Sequence, residues 1–352
     1  MTDEAERPEG PTLKELIVRL SAREHLGADE ARAAFEAVMG GRASQIQVAG
    51  LLVGLRTKGE VAAEVAGGVR ALRDAMVPVV AEDAGQLVDT CGTGGGDVTT
   101  FNISTAAALL AAGMGVRIAK HGNRSFTSRC GSADVLEALG VDIELTPEAM
   151  AEVLAEAGIV FMFAPLLHPA MRHVAPVRRE LGMPTIMNLL GPLTNPAGAR
   201  RQVVGVTRPD LLDLVAGALR ELDHERALVV HGAPGLDELS PIGLTDVAEL
   251  RDGAVRRYRV EPGAFGWGHL DPAGLAGGDP ADNARVILEV FRGEGNAAAR
   301  AAVTLNAGAA VYIAGRADSL EGGVRAAEQA LDEGAGLAGL ERLREATRRV
   351  RN

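Results

Sequence analysis

Aromatic residues make up only 3 % of the 352-residue sequence, and cysteine occurs twice, at Cys91 and Cys130. So few rings leave no series of stacking platforms for single-stranded nucleic acid. Two thiols cannot build a disulfide framework, and without neighbouring histidines they are too few for a structural zinc site. No stretch approaches the roughly 18 uncharged apolar residues that read as a membrane span. The opening MTDEAERPEG is acidic and polar, unlike a secretory or transit signal. Positive charge is also short, with 36 basic residues against 47 acidic ones and a net charge of −11. That balance argues against non-specific binding to nucleic acid or an anionic membrane, so an anionic ligand needs a local site. Lysine itself is nearly missing. Lys14, Lys58 and Lys120 are the only three, which makes a compact ammonium at any of them notable. A reducing cytoplasm is the plain expectation.

What is present is an ordinary globular composition, 47 % hydrophobic and 24 % charged, in a chain long enough for about two domains. Residues 12–76 carry apolar positions at helical spacing, with Thr12 and Ser44 as caps and Gly40, Gly41 and Gly59 as stops. PVVAEDAGQ (78–86) reads as a hinge or linker. From Leu87 the period changes. Short apolar runs at 87–91, 116–120, 141–145, 159–164, 202–207 and 227–232 alternate with helical stretches, the pattern of a mainly parallel sheet flanked by helices. Residues 247–260 predict a hairpin turning at Asp252-Gly253. The last seventy residues or so read as Ala-rich amphipathic helices. The fold class is therefore α/β, a small all-helical domain over 1–83 and a large α/β domain over 84–352.

Four segments carry chemistry. Asp89-Thr90-Cys91-Gly92-Thr93-Gly94-Gly95-Gly96-Asp97 runs from a strand into glycines and then, through Thr100 and Asn102, into a helix beginning near Ser104 or Thr105. Glycines let backbone N–H groups approach a polyphosphate, and a helix N-terminus adds a favourable dipole. The pattern is neither GxxxxGK[ST] nor GxGxxG, which weakens nucleotide-triphosphate and dinucleotide readings. Lys120-His121-Gly122-Asn123-Arg124-Ser125-Phe126-Thr127-Ser128 follows the next strand and reads as a polyanion cradle, with Ser132 capping the helix after it. Asp237-Glu238, after the strand ending in Gly232, suits Mg²⁺, which takes one or two carboxylates plus phosphate oxygens. A helix starting at His168-Pro169 and ending at Gly182 carries Arg178, able to grip a planar carboxylate. Cys91 and Cys130 read as small buried residues, and the scattered histidines assemble no catalytic set.

The segments CGTGGGDVTTFNIST, KHGNRSFTSRCGSADVLEALG, HPAMRHVAPVRRELG, NLLGPLTNP and GLDE, in this order, resemble the anthranilate phosphoribosyltransferase family over nearly the whole chain. The resemblance implies a nucleoside phosphorylase/phosphoribosyltransferase-like fold in which helices from about 168–195 return to the small domain. It implies a cytoplasmic homodimer of tryptophan biosynthesis that uses phosphoribosyl pyrophosphate (PRPP), anthranilate and Mg²⁺, with two ions per subunit. PRPP would be lined by Gly92, Gly95, Gly96, Thr100, Asn102, Ile103, Ser104 and Thr105, then by Lys120 to Ser128, including Phe126 and Thr127, and by Ser132. Gly92, Asn123 and Arg178 would touch anthranilate, and Ser104, Asp237 and Glu238 would hold metal. No covalent catalyst is implied, with Lys120 and His121 as supporting groups. Two departures stand out: Gly96 displaces the loop's acid to Asp97, and Pro184 and Met187 replace the family's usual Arg and Phe. A pyrimidine nucleoside phosphorylase and a nucleic-acid-binding relative of the same fold are the competing expectations.

Overall fold

The structure, a computed structural model, describes residues 10–94, 98–125 and 129–351. It divides into two compact units, Met1–Met76 with His168–Gly191 and Val77–Leu167 with Pro192–Asn352.

The smaller unit contains helices α1 (Leu13–Ser21), α2 (Ala28–Met39), α3 (Gln45–Lys58) and α4 (Ala62–Ala75). Thr12 and Ser44 close reciprocal capping boxes with Glu15 and Gln47, and Gly40 and Gly59 end α2 and α3, as the sequence predicts. Leu16, Leu20, Phe35, Leu51, Leu55 and Val65 form its core, each contributing roughly 1.5–3 kcal/mol on burial. One ion pair is buried among them. Lys58 and Glu64 have side chains 1 % and 0 % exposed and meet at 2.9 Å. Lys58 Nζ also donates to the Gly59 carbonyl and sits 2.8 Å from His25 Nδ1. Glu64 accepts from the backbone N–H groups of Leu26 and Val61.

The helix expected from His168 is a 3₁₀ turn over Pro169–His173 followed by a separate α9, Ala175–Leu181. Pro176 has no N–H to bond the Arg172 carbonyl, so a continuous helix cannot pass through it. Gly182 closes α9 in the left-handed region, φ 59°.

The larger unit is built on seven strands in the order β3-β2-β1-β4-β5-β6-β7. They are β1 (Val88–Gly92), β2 (Ile118–Gly122), β3 (Ile159–Phe163), β4 (Arg201–Gly205), β5 (Arg226–Gly232), β6 (Thr245–Arg251) and β7 (Ala254–Val260). The first five in chain order are parallel, and β5, β6 and β7 pair antiparallel. The β6–β7 hairpin turns at Asp252 and Gly253 with φ of 52° and 75°, the positive pair a two-residue hairpin needs. Helix α5 (Ile103–Gly113), with seven Ala or Leu among its 11 residues, is buried on every side. It packs with α13 (Ala297–Ile313) and α15 (Ala335–Arg351). Shorter helices α6 (Ser132–Ala138), α7 (Pro147–Ala157), α8 (Ala164–Leu167), α10 (Met187–Leu193), α11 (Leu211–Glu221), α12 (Pro280–Phe291) and α14 (Leu320–Asp332) complete the chain.

Two expectations are corrected here. The run 141–145 forms no strand: Val141, Ile143 and Leu145 are buried in the core, while Asp142 bonds Thr347 and pairs with Arg351 on α15. β2 pairs directly with β3, so the alternation reflects one face buried in the core rather than a ladder. The stretch 78–86 is no free linker. Val77 and Val79 N–H donate to the Leu167 and Pro196 carbonyls, and Val79 is buried.

Candidate active site

The strand order places β1 between β2 and β4, where successive connections leave in opposite directions. Ligands of open α/β sheets bind outside the carboxyl ends of the strands at such a switch point. Here β1, β2, β4 and β5 each end in glycine, at Gly92, Gly122, Gly205 and Gly232. The reason is visible at the switch point itself, where Gly92 and Gly205 are register partners. A Cβ on Gly205 would fall on the Asp237 carbonyl, and one on Gly92 on the Asp237 carboxylate. The strand ends are bare so that the Asp237-Glu238 turn can lie across them.

That turn faces the glycine loop. Asp237 Oδ2 accepts from the Gly94 N–H at 3.1 Å, and the Glu238 carboxylate accepts from the Ser104 N–H in the first turn of α5. Burial pushes both carboxyls above the usual carboxylate range, with Asp237 adding to the effect on Glu238 and Lys120 opposing it. Lys120 reaches the same place from β2: its Nζ donates to the Thr90 carbonyl and, at 3.2 Å, to Ser104 Oγ. Burial lowers its pKa against the nearby negative charge of Asp89 and Glu238. Thr93 and Thr105 hydroxyls are buried there with no hydrogen-bond partner among the described residues. The two carboxylates thus each hold a backbone N–H, while two hydroxyls lack a partner among the described residues.

Two adjacent half-buried carboxylates beside the Ser104 hydroxyl are a hard oxygen set that fits Mg²⁺, which leaves other positions to water and phosphate. Among the described residues no three carboxylate, imidazole or thiolate groups converge into a closed cage.

Beneath the site lies a polar hub that the sequence reading passed over. Asp89, fully buried in β1, accepts from Asn195 Nδ2 at 2.9 Å, His121 N at 3.2 Å and Gln202 Nε2 at 3.4 Å. Burial pushes its carboxyl up to about 6, with Lys120 and these donors pulling it back. Asn195 also donates to the Ala119 carbonyl, so strands β1 and β2 are stitched together directly under Lys120. An acid inside the apolar run Val88-Asp89-Thr90-Cys91 was the signal available.

The loop after β2 is folded back on α6. Asn123 Oδ1 accepts from Arg124 N, and the Asn123 carbonyl from Ala133 N. Ser125 N donates to Asp134. Arg124 pairs with Asp134 and Glu137 and lies over the Phe163 ring. Ser132 is not the cap. Gly131 is, with its N–H on Asp134, because a side chain there would strike the backbone of residues 123–125. Ser132 Oγ instead points at the Asn123 carbonyl. The helix expected to begin near Ser104 or Thr105 starts at Ile103, with Asn102 as its N-cap. His121 is buried in β2, Gly122 ends it, and Thr100 bridges to Ala276. Gly95, Gly96, Asp97, Phe126, Thr127 and Ser128 lie outside the described residues.

Arg178 belongs to the smaller unit, on α9, half-buried and 3.5 Å from Asn188 Oδ1. Met187 is packed in that unit and Pro184 is exposed. Cys91 and Cys130 are structural thiols. Burial raises Cys91 well above its normal value and Cys130 to about 11, away from nucleophilic use.

Residues 84–337 match a family model described as the a/b domain of a glycosyl transferase family, and 14–76 match its helical bundle domain. An anthranilate phosphoribosyltransferase from Rubrobacter xylanophilus is 53 % identical over 338 residues, 96 % of this chain and 98 % of its own. One from Desulforudis audaxviator is 48 % identical over 340 residues, covering 97 % and 98 %. The crystal structure of an anthranilate phosphoribosyltransferase from Thermus thermophilus superposes with a TM-score of 0.89 at 44 % identity, covering 94 % of this chain and 99 % of that one. The Saccharomyces cerevisiae enzyme in complex with PRPP and Mg gives 0.85 at 26 %, covering 96 % and 98 %. With both of its parts matched and relatives this similar along nearly their whole length, the chain belongs to the anthranilate phosphoribosyltransferase family, and it is a phosphoribosyl-transferring enzyme.

Proposed function

We propose that the protein transfers the 5-phosphoribosyl group of PRPP to the amine of anthranilate, giving N-(5-phosphoribosyl)anthranilate and pyrophosphate. One observation carries this reading. Gly94 of the glycine loop, Ser104 at the start of α5, Lys120 and the Asp237-Glu238 turn are joined by hydrogen bonds at one point, and the Thr93 and Thr105 hydroxyls of the same two segments have no partner among the described residues.

The C1–O bond to pyrophosphate breaks as the C1–N bond forms, with inversion at C1, and the amine nitrogen then gives up a proton to solvent. The arylamine attacks without a strong base. The demand on the protein is to align two substrates and hold the charge leaving with pyrophosphate. Lys120 supplies a buried cation, held in place by Thr90 and Ser104, and the loop and α5 supply N–H groups. Ser104, Asp237 and Glu238 would hold Mg²⁺, two ions per subunit in this reading. When bound, the metal would neutralise charge developing on the pyrophosphate oxygens. Asn102 and the residues after it in α5, with Lys120 to Ser128 and Ser132, would take the ribose and phosphates. Arg124 would exchange an acidic partner on α6 for a phosphate. Arg178 would receive the anthranilate carboxylate, and Gly92 and Asn123 would also touch anthranilate. We take the working form to be a cytoplasmic homodimer.

Loss of anthranilate fluorescence on mixing protein, PRPP and Mg²⁺ tests the proposal, with EDTA and no-PRPP controls and Arg178→Ala alongside. The expected decay requires all three components, and Arg178→Ala raises the KM for anthranilate far more than that for PRPP. No decay from folded protein, with phosphorolysis of a pyrimidine nucleoside in its place, would overturn it.

A further inference from the structure

Asn283, on α12, is 2 % exposed and 181 positions from Asn102 in sequence, yet its Nδ2 donates to Asn102 Oδ1 at 2.9 Å. Its Oδ1 accepts from the Gly278 N–H at 2.7 Å. These two bonds fix which way both amides face. A backbone N–H can only donate, so the atom of Asn283 that faces Gly278 is oxygen and the atom facing Asn102 is nitrogen. Asn102 must then present its own oxygen to Asn283, and that oxygen also takes the Cys130 thiol at 3.2 Å. Its Nδ2 is left facing the other way, with one hydrogen on the Cys130 carbonyl at 3.3 Å. The second Nδ2 hydrogen makes no bond to a described residue.

The chain leading to Asn283 runs along the stretch between the glycine loop and α5. Phe101 N donates to the Leu275 carbonyl, Thr100 bridges to Ala276, and Gly277 N donates to the Thr99 carbonyl. A Cβ on Gly277 would strike the Thr100 carbonyl, so the two backbones touch.

We propose that Asn283 is a positioning residue of the phosphoribosyl site. It fixes the Asn102 amide at the N-terminus of α5 so that an N–H, not a carbonyl oxygen, is offered to the substrate phosphates, and through Cys130 it ties that end of α5 to the start of α6. The proposal rests on the phosphoribosyl transfer argued above. Asn283 itself touches no substrate.

Asn283→Asp separates orientation from shape. It keeps the acceptor for Gly278 but sets oxygen against Asn102 Oδ1, so the Asn102 amide must turn over or lose the contact. Asn283→Ala removes both bonds, and Arg285→Ala, an exposed change on the same helix, is the control. Affinity for PRPP with Mg²⁺ by calorimetry, steady-state KM values and melting temperatures are the readouts. Both Asn283 variants should weaken PRPP binding and raise its KM by about 10- to 100-fold, the range for residues that orient binding groups, and leave the anthranilate KM within about twofold. The control should match the wild type.

PRPP affinity that stays at the wild-type value in Asn283→Asp would overturn the proposal. So would equal rises in both KM values, or failure of both Asn283 variants to fold, which would make the residue merely structural. If the wild type binds PRPP without consuming anthranilate, the acceptor assignment fails while the calorimetry still decides the role of Asn283. If it binds no PRPP, both fall.

Discussion

The sequence has three lysines, and the structure buries two of them to opposite ends. In the smaller unit Lys58 is enclosed by Glu64, the Gly59 carbonyl and His25, and Glu64 takes two backbone N–H groups besides. Donors and acceptors there balance within the protein. In the larger unit Lys120 stands near Asp89 and Glu238, with Asp237 beside them, and burial raises the pKa of all three carboxyls. Two threonine hydroxyls nearby have no partner among the described residues. Buried polar groups left unsatisfied are costly, and a ligand that completes them is one reason for a structure to keep them. The same residue type thus marks a staple in one unit and the proposed binding site in the other, and the partners tell them apart.

The comparison breaks most sharply at the carboxylates. Asp237→Ala with Glu238→Ala should cut Mg²⁺-dependent turnover by at least about a thousandfold while shifting the melting temperature only a few degrees, because these charges burden the fold more than they support it. Activity retained at ordinary Mg²⁺ concentrations would remove the metal from this turn. Lys58→Met should do the reverse. It strands the Glu64 carboxylate in a dry interior, a change that costs about 3–5 kcal/mol, while the KM for PRPP stays near the wild-type value. A denaturant titration showing a loss under about 1 kcal/mol would mean that the pair is no staple.

The layout was largely legible because it follows from periodicity. Four helices, five parallel strands and the Asp252-Gly253 hairpin all appear where apolar spacing and turn residues put them. The exceptions have physical causes. Residues 141–145 alternate like a strand because Val141, Ile143 and Leu145 face the core while Asp142 bonds α15, and alternation does not say what lies opposite. Ser132 looks like a cap until the close backbone approach makes Gly131 the only residue that fits. Within the site, glycines, hydroxyls and the Asp-Glu pair could be read as a phosphate and metal cradle from their order alone. Asp89 and Asn283 could not, since each acts through a contact far away in sequence, to Asn195 and to Asn102. The four strand-ending glycines were in plain view, but only the Asp237 turn lying on two of them shows their purpose.

The smallest expected effect gives the finest test of the comparison. Thr105 is 1 % exposed in the first turn of α5, and its hydroxyl has no partner among the described residues. Valine has nearly the same shape and a similar helix propensity, so Thr105→Val exchanges an unsatisfied hydroxyl for a methyl with little else changed. If the site is under-satisfied in the way Lys120's surroundings indicate, the variant should gain about 1 kcal/mol, read as a melting temperature roughly 2–4 °C higher. Its KM for PRPP should also rise severalfold, the trade expected where a binding site carries unsatisfied groups for its ligand. A stability gain with unchanged PRPP binding would make the hydroxyl a packing defect and confine the unsatisfied oxygen to the carboxylate turn. No gain at all would mean the hydroxyl is satisfied in solution, and the contrast between the two buried lysines would then rest on Asp237 and Glu238 alone.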